Sequence, residues 1–164
     1  RVLFRSNQLL RRLADAGLDF VIVGGYAATA HGAQYVTWDL DICLVLSPEN
    51  VEKLRQTLAD CNPCHRMTPQ RLSFLKHPTA DEPPAQNLYL QTDLGVLDIL
   101  SSITGVGDFA RLRRDAVELN VDGRTYRVIS LNDLIRSKET LRRGKDLLVA
   151  HELRVVAAKK RPAD

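Results

Sequence analysis

Two aspartates one residue apart, Asp39 and Asp41, follow the diglycine Gly24-Gly25 after 13 intervening positions, and a third acid, Asp98, stands at the centre of a distant apolar run. Neighbouring carboxylates repel each other and resist losing water, so such a cluster is costly unless a cation lies between its members. Magnesium suits that role, because it takes oxygen ligands, keeps several waters and is bound through a few carboxylates plus substrate phosphates; manganese is the alternative. Three acids are enough for two ions, which at about 3.5–4 Å apart clamp the attacking and leaving oxygens of an in-line phosphoryl displacement. The diglycine supplies a complementary feature. Without Cβ atoms its backbone can approach a ligand closely, and the amides of the following helical turn favour a phosphate. Taken singly these signals are weak, since Asp-x-Asp is often a polar strand edge and a diglycine serves any tight turn. Their order and strand context carry the inference that Asp39, Asp41 and Asp98 are catalytic metal ligands and Gly24 and Gly25 a phosphate seat.

The positioning elements follow from hydrophobic pattern. Phe20-Val21-Ile22-Val23 is a β-branched run that stops at the glycines, as a buried strand entering a turn does. Tyr26 to His31 has the composition of a short helix, and residues 39–46 read as a second strand. Side chains at i and i+2 of a strand share a face, so both acids of the pair point the same way. Residues 94–100 form a third strand with Asp98 at its centre. A helix is expected over residues 7–16 with Gly17 as its stop, and another opens at Ser47-Pro48, with Ser47 as N-cap and apolar Val51, Leu54 and Leu58 at helical spacing. Asp122-Gly123 between residues 117–121 and 124–129 is a hairpin signal; Ser130 then caps a helix beginning at Leu131, and Gly144 separates it from a last helix reaching about Ala158. Residues 61–86, broken by Pro63, Pro69, Pro78, Pro83 and Pro84, read as a mobile loop near the site.

At this point the chain resembles the DNA polymerase β-like nucleotidyltransferase superfamily, whose signature is a hydrophobic residue, Gly-Gly or Gly-Ser, a spacer of about ten residues and a hydrophobic-flanked Asp-x-Asp. Val23-Gly24-Gly25 and Asp39-Leu40-Asp41-Ile42 carry that likeness. The stretches Gly24 to Ala28, His31-Gly32 and Thr37 to Asp41 are similar to its small prokaryotic branch, which includes abortive-infection and type IV toxin nucleotidyltransferases. Leu134 to Lys138 and Arg143-Gly144-Lys145-Asp146-Leu147 resemble that branch's closing helices, so the likeness runs from about residue 18 to 153. The resemblance implies an α/β (α+β) fold: a mixed β-sheet with flanking helices and a C-terminal helical pair, in a single domain over 1–164 with a core at about 18–129. It implies magnesium, two ions, and transfer of a nucleoside monophosphate from a nucleoside triphosphate such as ATP to an acceptor hydroxyl, with release of pyrophosphate. Roles carry over to Gly24, Gly25, Asp39, Asp41 and Asp98, and to Lys138 and Lys145 as triphosphate contacts, with Asp146 orienting a lysine. The acceptor stays open among a transfer RNA end, a protein side chain and a small hydroxylated molecule; an antitoxin-like partner or a homodimer is in keeping with the short chain. One departure is Tyr35, standing where many relatives carry an arginine, which changes whatever contact that arginine makes. A catalytically silent nucleotide- or RNA-binding module is the alternative from another class.

Composition agrees: 164 residues, 45% hydrophobic and 26% charged, are globular proportions, and no apolar run approaches the ~20 residues of a membrane span. The start, Arg1 to Arg5, does not look like a signal peptide, and the missing initiator Met suggests processing or trimming; a cytoplasmic location is expected. Charge is uneven, with +5 from residue 136 onward against −2 before it. Lys138, Arg142, Arg143 and Lys145 could meet triphosphate or RNA, whereas Lys159-Lys160-Arg161 is read as a solvated tail. Cys61-Asn62-Pro63-Cys64-His65 spells the c-type haem attachment pattern, and Cys-x-x-Cys also holds zinc or works in redox. Haem attachment needs export, and zinc needs four ligands, with His65 and His77 as partners; reduced thiols at a helix end are the simpler expectation. Cys43 reads as core, His31 as holding the turn at Gly32, and Tyr35 and Trp38 as packing or base-stacking aromatics.

Overall fold

The computed structural model describes residues 2–34, 37 and 39–160, with side chains from residue 5 onward. Tyr35, Trp38 and Arg161 lie outside the described residues. The chain order is α1 (Val2–Asp15), β1 (Val21–Val23), α2 (Gly24–Ala30), β2 (Asp39–Cys43), α3 (Pro48–Thr57), β3 (Cys64–His65), β4 (Asn87–Thr92), β5 (Gly95–Leu100), β6 (Ser102–Ile103), β7 (Gly107–Asp108), α4 (Phe109–Asp115), β8 (Val117–Val121), β9 (Arg124–Val128), α5 (Leu131–Leu141) and α6 (Gly144–Lys160). Seven strands make one mixed sheet in the order β3-β4-β5-β2-β1-β9-β8, and β6 and β7 pair separately. The expected mixed-sheet α/β architecture is therefore present.

Local chemistry explains the boundaries. Ser47 and Ser130 accept hydrogen bonds from the amides of Asn50 at 3.2 Å and Asp133 at 3.1 Å, capping α3 and α5. Asp122 and Gly123 both have positive φ, 52° and 83°, as the two-residue turn of the β8–β9 hairpin requires. Arg142 takes a left-handed conformation, φ 56°, and ends α5 just before Gly144. The elements without a counterpart in the sequence reading are β3, β4, α4 and the paired short strands β6 and β7. The proline-rich stretch is also less irregular than expected, since Cys64 and His65 form β3, antiparallel to β4. The second strand ends at Cys43, earlier than expected, although the Leu44 amide still donates to the Leu100 carbonyl.

Register sorts the sheet into two unlike faces. Ile22, Ile42, Ile99 and Leu88 lie in one cross-strand row, and Leu40, Leu97 and Leu90 in another, all buried. That apolar face joins Leu9, Leu10 and Leu13 of α1 and Leu54 of α3 in a single core cluster. Because pleating sends alternate side chains to opposite sides, the residues between these rows face the other way. They include Asp39, Asp41 and Asp98. No helix among the described residues is long and apolar enough to cross a membrane.

Candidate active site

Strand pairing brings the three acids together. β2 and β5 run parallel, with Asp41 directly opposite Asp98 and Asp39 opposite Val96. Paired residues point to the same side, so all three carboxyl groups project from one face. Asp39 is pinned at the start of β2 by Thr37, whose hydroxyl donates to the Asp39 carbonyl at 3.0 Å and accepts from its amide at 3.3 Å. Val23, the last residue of β1, lies opposite Asp41, and Gly24 follows at once. Gly24 has φ +66°, and a Cβ added there would come within 2.9 Å of Asp41 Cβ and Cγ. Only glycine fits such a place, which ties the diglycine turn to the second acid sterically as well as conformationally. Gly25 sits half-buried in the first turn of α2.

The electrostatics single out Asp41. Burial first, then the charges of Asp98 and Asp39, push its carboxyl up to about 7, against smaller opposing pulls from Lys138 and Arg66. Lys138 belongs to α5 and reaches toward the acid row from the helical pair. It also lies 3.5 Å from Asp146, a fully buried acid of α6 that accepts a hydrogen bond from Arg143 Nε at 2.5 Å. Burial alone would raise the Asp146 carboxyl; the Arg143 hydrogen bond and the charges of Lys138 and Arg143 together outweigh it and hold it low. Asp146 thus engages the lysine. Lys145 is exposed at the start of α6 and is not among the charges that shift Asp41.

Arg66 is the residue that sequence reasoning missed. One position beyond β3, its amide donates to the Tyr89 carbonyl at 3.0 Å, and Tyr89 is the register partner of Asp98. A single row therefore crosses the sheet: Arg66, Tyr89, Asp98, Asp41, Val23. The guanidinium lies over the Tyr89 ring, 5.6 Å from its centroid, and grips Asp98 with both arms, Nε to Oδ1 at 3.0 Å and Nη2 to Oδ2. No local pattern marks one arginine among 23 basic residues; only the pairing of β3 with β4 brings it here.

The fit to divalent cations can be judged from these contacts. Among the described residues no group of three or more His, Cys, Asp or Glu side chains stands gathered to hold a metal ion, and Asp98 is already occupied by Arg66. The donor chemistry nonetheless suits a hard dication. All the candidate ligands are carboxylate oxygens, and a cation would relieve both the burial and the like-charge crowding that together lift Asp41 to about 7.

Other sequence candidates lie elsewhere. His31 caps the far end of α2, its Nε2 2.7 Å from the Ile129 carbonyl; burial lowers its pKa. The Cys61 thiol is buried and donates to Asp60 at 3.5 Å, Cys64 donates to the Asn62 carbonyl at 3.6 Å, and His65 packs edge-on against Phe74. His77 stands 3.0 Å from Glu52. Cys43 is core, where burial pushes its thiol to about 12. A surface hollow lined by residues including Asn132, Arg136, Glu139, Arg142 and Arg154 contains none of the acids.

Comparison of the sequence finds no matching family model and no matching curated relative. Solved structures do match over nearly the whole chain. A candidate nucleotidyltransferase of Thermotoga maritima is 15% identical, with a TM-score of 0.56, covering 93% of this chain and 92% of that one. The lincosamide antibiotic adenylyltransferase LnuA, solved with lincomycin bound, is 16% identical at a TM-score of 0.60, covering 93% and 96%. The antibiotic-resistance factor ANT(2'')-Ia is 13% identical at a TM-score of 0.54, covering 96% and 88%. The chain has the fold of these nucleotidyltransferases.

Proposed function

We propose that the protein is a divalent-cation-dependent nucleotidyltransferase, moving a nucleoside monophosphate from a nucleoside triphosphate to an acceptor hydroxyl with release of pyrophosphate. The observation that carries this is the register that sets Asp41 against Asp98, two residues from Asp39, beside a glycine whose missing side chain is what lets Asp41 stand there. Asp39, Asp41 and Asp98 would hold the cations. Bound there, two magnesium ions, or manganese in their place, would supply Lewis acidity and neutralise charge at the phosphorus undergoing displacement.

The chain's own groups take the remaining work. Gly24 and Gly25 let the triphosphate approach the backbone at the start of α2. Lys138, whose field already reaches Asp41, offsets triphosphate charge, and Asp146 holds that lysine in place; Lys145 adds positive charge at the rim. Asp98, once its two oxygens are released by Arg66, would be placed to take up the proton of the attacking hydroxyl. The acceptor is set by loop shape and by any partner. LnuA and ANT(2'')-Ia are described with antibiotics, and ANT(2'')-Ia has been solved with adenylyl-2''-tobramycin; their fold supports a small hydroxylated acceptor and ATP as the first pair to try. The toxin-branch resemblance keeps a transfer RNA end or a protein side chain in the same trial, together with an antitoxin-like partner.

To test this, the protein is incubated with each labelled triphosphate, magnesium or manganese, and lincosamide, aminoglycoside, transfer RNA and protein acceptors. Transfer by the parent and loss of transfer in Asp41→Asn are expected. Transfer that persists in Asp41→Asn overturns the assignment. A second reading, a nucleotide-binding module without turnover, is favoured by one contact: Arg66 occupies both oxygens of Asp98. Calorimetry separates the two, since magnesium-dependent triphosphate binding without transfer to any acceptor points to the module.

A further inference from the structure

We propose that Arg66 is a tethered counter-ion that competes with divalent cations for Asp98, closing the third carboxylate of the acid row in the ligand-free protein and opening it when a cation displaces the guanidinium. The inference rests on the cation-binding role given to the acids above and adds a residue that controls it.

Three features argue for a displaceable clasp rather than a structural brace. First, the strands it spans are already joined: β3 to β4 and β4 to β5 are paired through backbone hydrogen bonds, so the ion pair ties together nothing that would otherwise part. Second, it is asymmetric. Asp39 and Asp41 enter no ion pair among the described residues, whereas both Asp98 oxygens are taken by one planar fork, the geometry in which arginine binds carboxylate most strongly. Third, the guanidinium has somewhere to go. It rests on the Tyr89 ring, its Nη1 lies 3.3 Å from the sulfur of exposed Met67, and its side chain is 27% exposed, so it can swing outward while its backbone stays bonded to Tyr89. A cation that uses Asp98 must first break this fork. Metal affinity in the free protein is therefore lower than the three carboxylates alone would give.

The test measures manganese binding by the loss of the free-ion paramagnetic resonance signal, without nucleotide, near pH 8. The parent, Arg66→Gln, Asp98→Asn and the double variant are compared. Arg66→Gln is expected to bind manganese about tenfold more tightly than the parent, equivalent to ~1.4 kcal/mol, and the gain is expected to vanish in the Asp98→Asn background. Arg66→Lys keeps the charge but cannot grip two oxygens. It should show intermediate affinity and serves as the second variant should the glutamine form not fold. Equal or weaker binding by both Arg66 variants, or a gain that survives in Asp98→Asn, overturns the proposal while leaving the cation role of the acids standing. If neither the parent nor any variant binds manganese, the cation role itself fails, and the clasp with it.

Discussion

Replacing Asp41 with asparagine should make the ligand-free protein more stable at neutral pH, though it removes a central group of the site. A carboxyl that ionises at 3.8 in the unfolded chain and at about 7 in the folded one leaves the folded state holding a proton that the unfolded state has already released. Such a raised value contributes stability that is fully present below pH ~4 and is lost as pH rises toward ~7. At about 1.36 kcal/mol for each pH unit, the gap from 3.8 to about 7 removes up to about 4 kcal/mol. Solvent contact along the open acid face makes that an upper bound. Asparagine does not titrate, so the variant escapes the loss. Urea unfolding of parent and Asp41→Asn in the presence of a chelator, at about pH 4 and about pH 8, should show the variant's relative stability increasing by up to ~4 kcal/mol across that interval. Saturating manganese should then shrink the difference at the higher pH, because a ligand that binds only the folded parent stabilises only the parent. A difference that does not change with pH would mean that Asp41 is not held protonated by burial and by its neighbours, and the crowded-carboxylate picture would fall.

Gly24→Ala should lose both stability and transfer: a left-handed φ costs a non-glycine residue about 1–3 kcal/mol, and the new methyl would push on Asp41, so the melting point and labelled-nucleotide transfer should drop together. Leu97→Ala removes a fully buried side chain from the apolar face between Leu40 and Leu90 and should cost about 2–5 kcal/mol in denaturant unfolding without altering the pH profile of transfer. Asp146→Ala strips Lys138 and Arg143 of their shared buried acid; roughly 3 kcal/mol of stability should disappear near pH 7, and the deficit should narrow on acidification below pH ~4, where the parent's Asp146 also takes up its proton.

How legible each part was depended on how local its physics is. The β8–β9 hairpin was readable because Asp122-Gly123 is the dipeptide that tolerates two successive positive φ angles, and both residues adopt them. The caps of α3 and α5 were readable because a serine oxygen and an amide three residues on are close by construction. β4 was missed although its buried Leu88, Leu90 and Thr92 alternate with half-exposed Tyr89 and Gln91; the prolines just before it drew attention to loop character instead. α4 carried a signal too, with Asp108 accepting from the Arg111 amide at 3.0 Å, but its seven residues are too few for periodicity to stand out.

The acid site divides along the same line. The residue types and the same-face projection of Asp39 and Asp41 follow from the sequence alone, because a period of two is a property of a few consecutive residues, whereas the steric need for glycine at Gly24 comes from Asp41 standing against it across the β1–β2 pairing. That Asp98 stands opposite Asp41 and not opposite Asp39, that Arg66 closes over it, and that the charge of Lys138 acts on Asp41 were decided only in the tertiary structure. Register between strands more than fifty residues apart is settled by the packing of the apolar face on α1 and α3, and the approach of α5 by its packing against α2 and α6. A sliding strand would carry its polar residues into that core, so the hydrophobic side of the sheet determines which charges meet on the other.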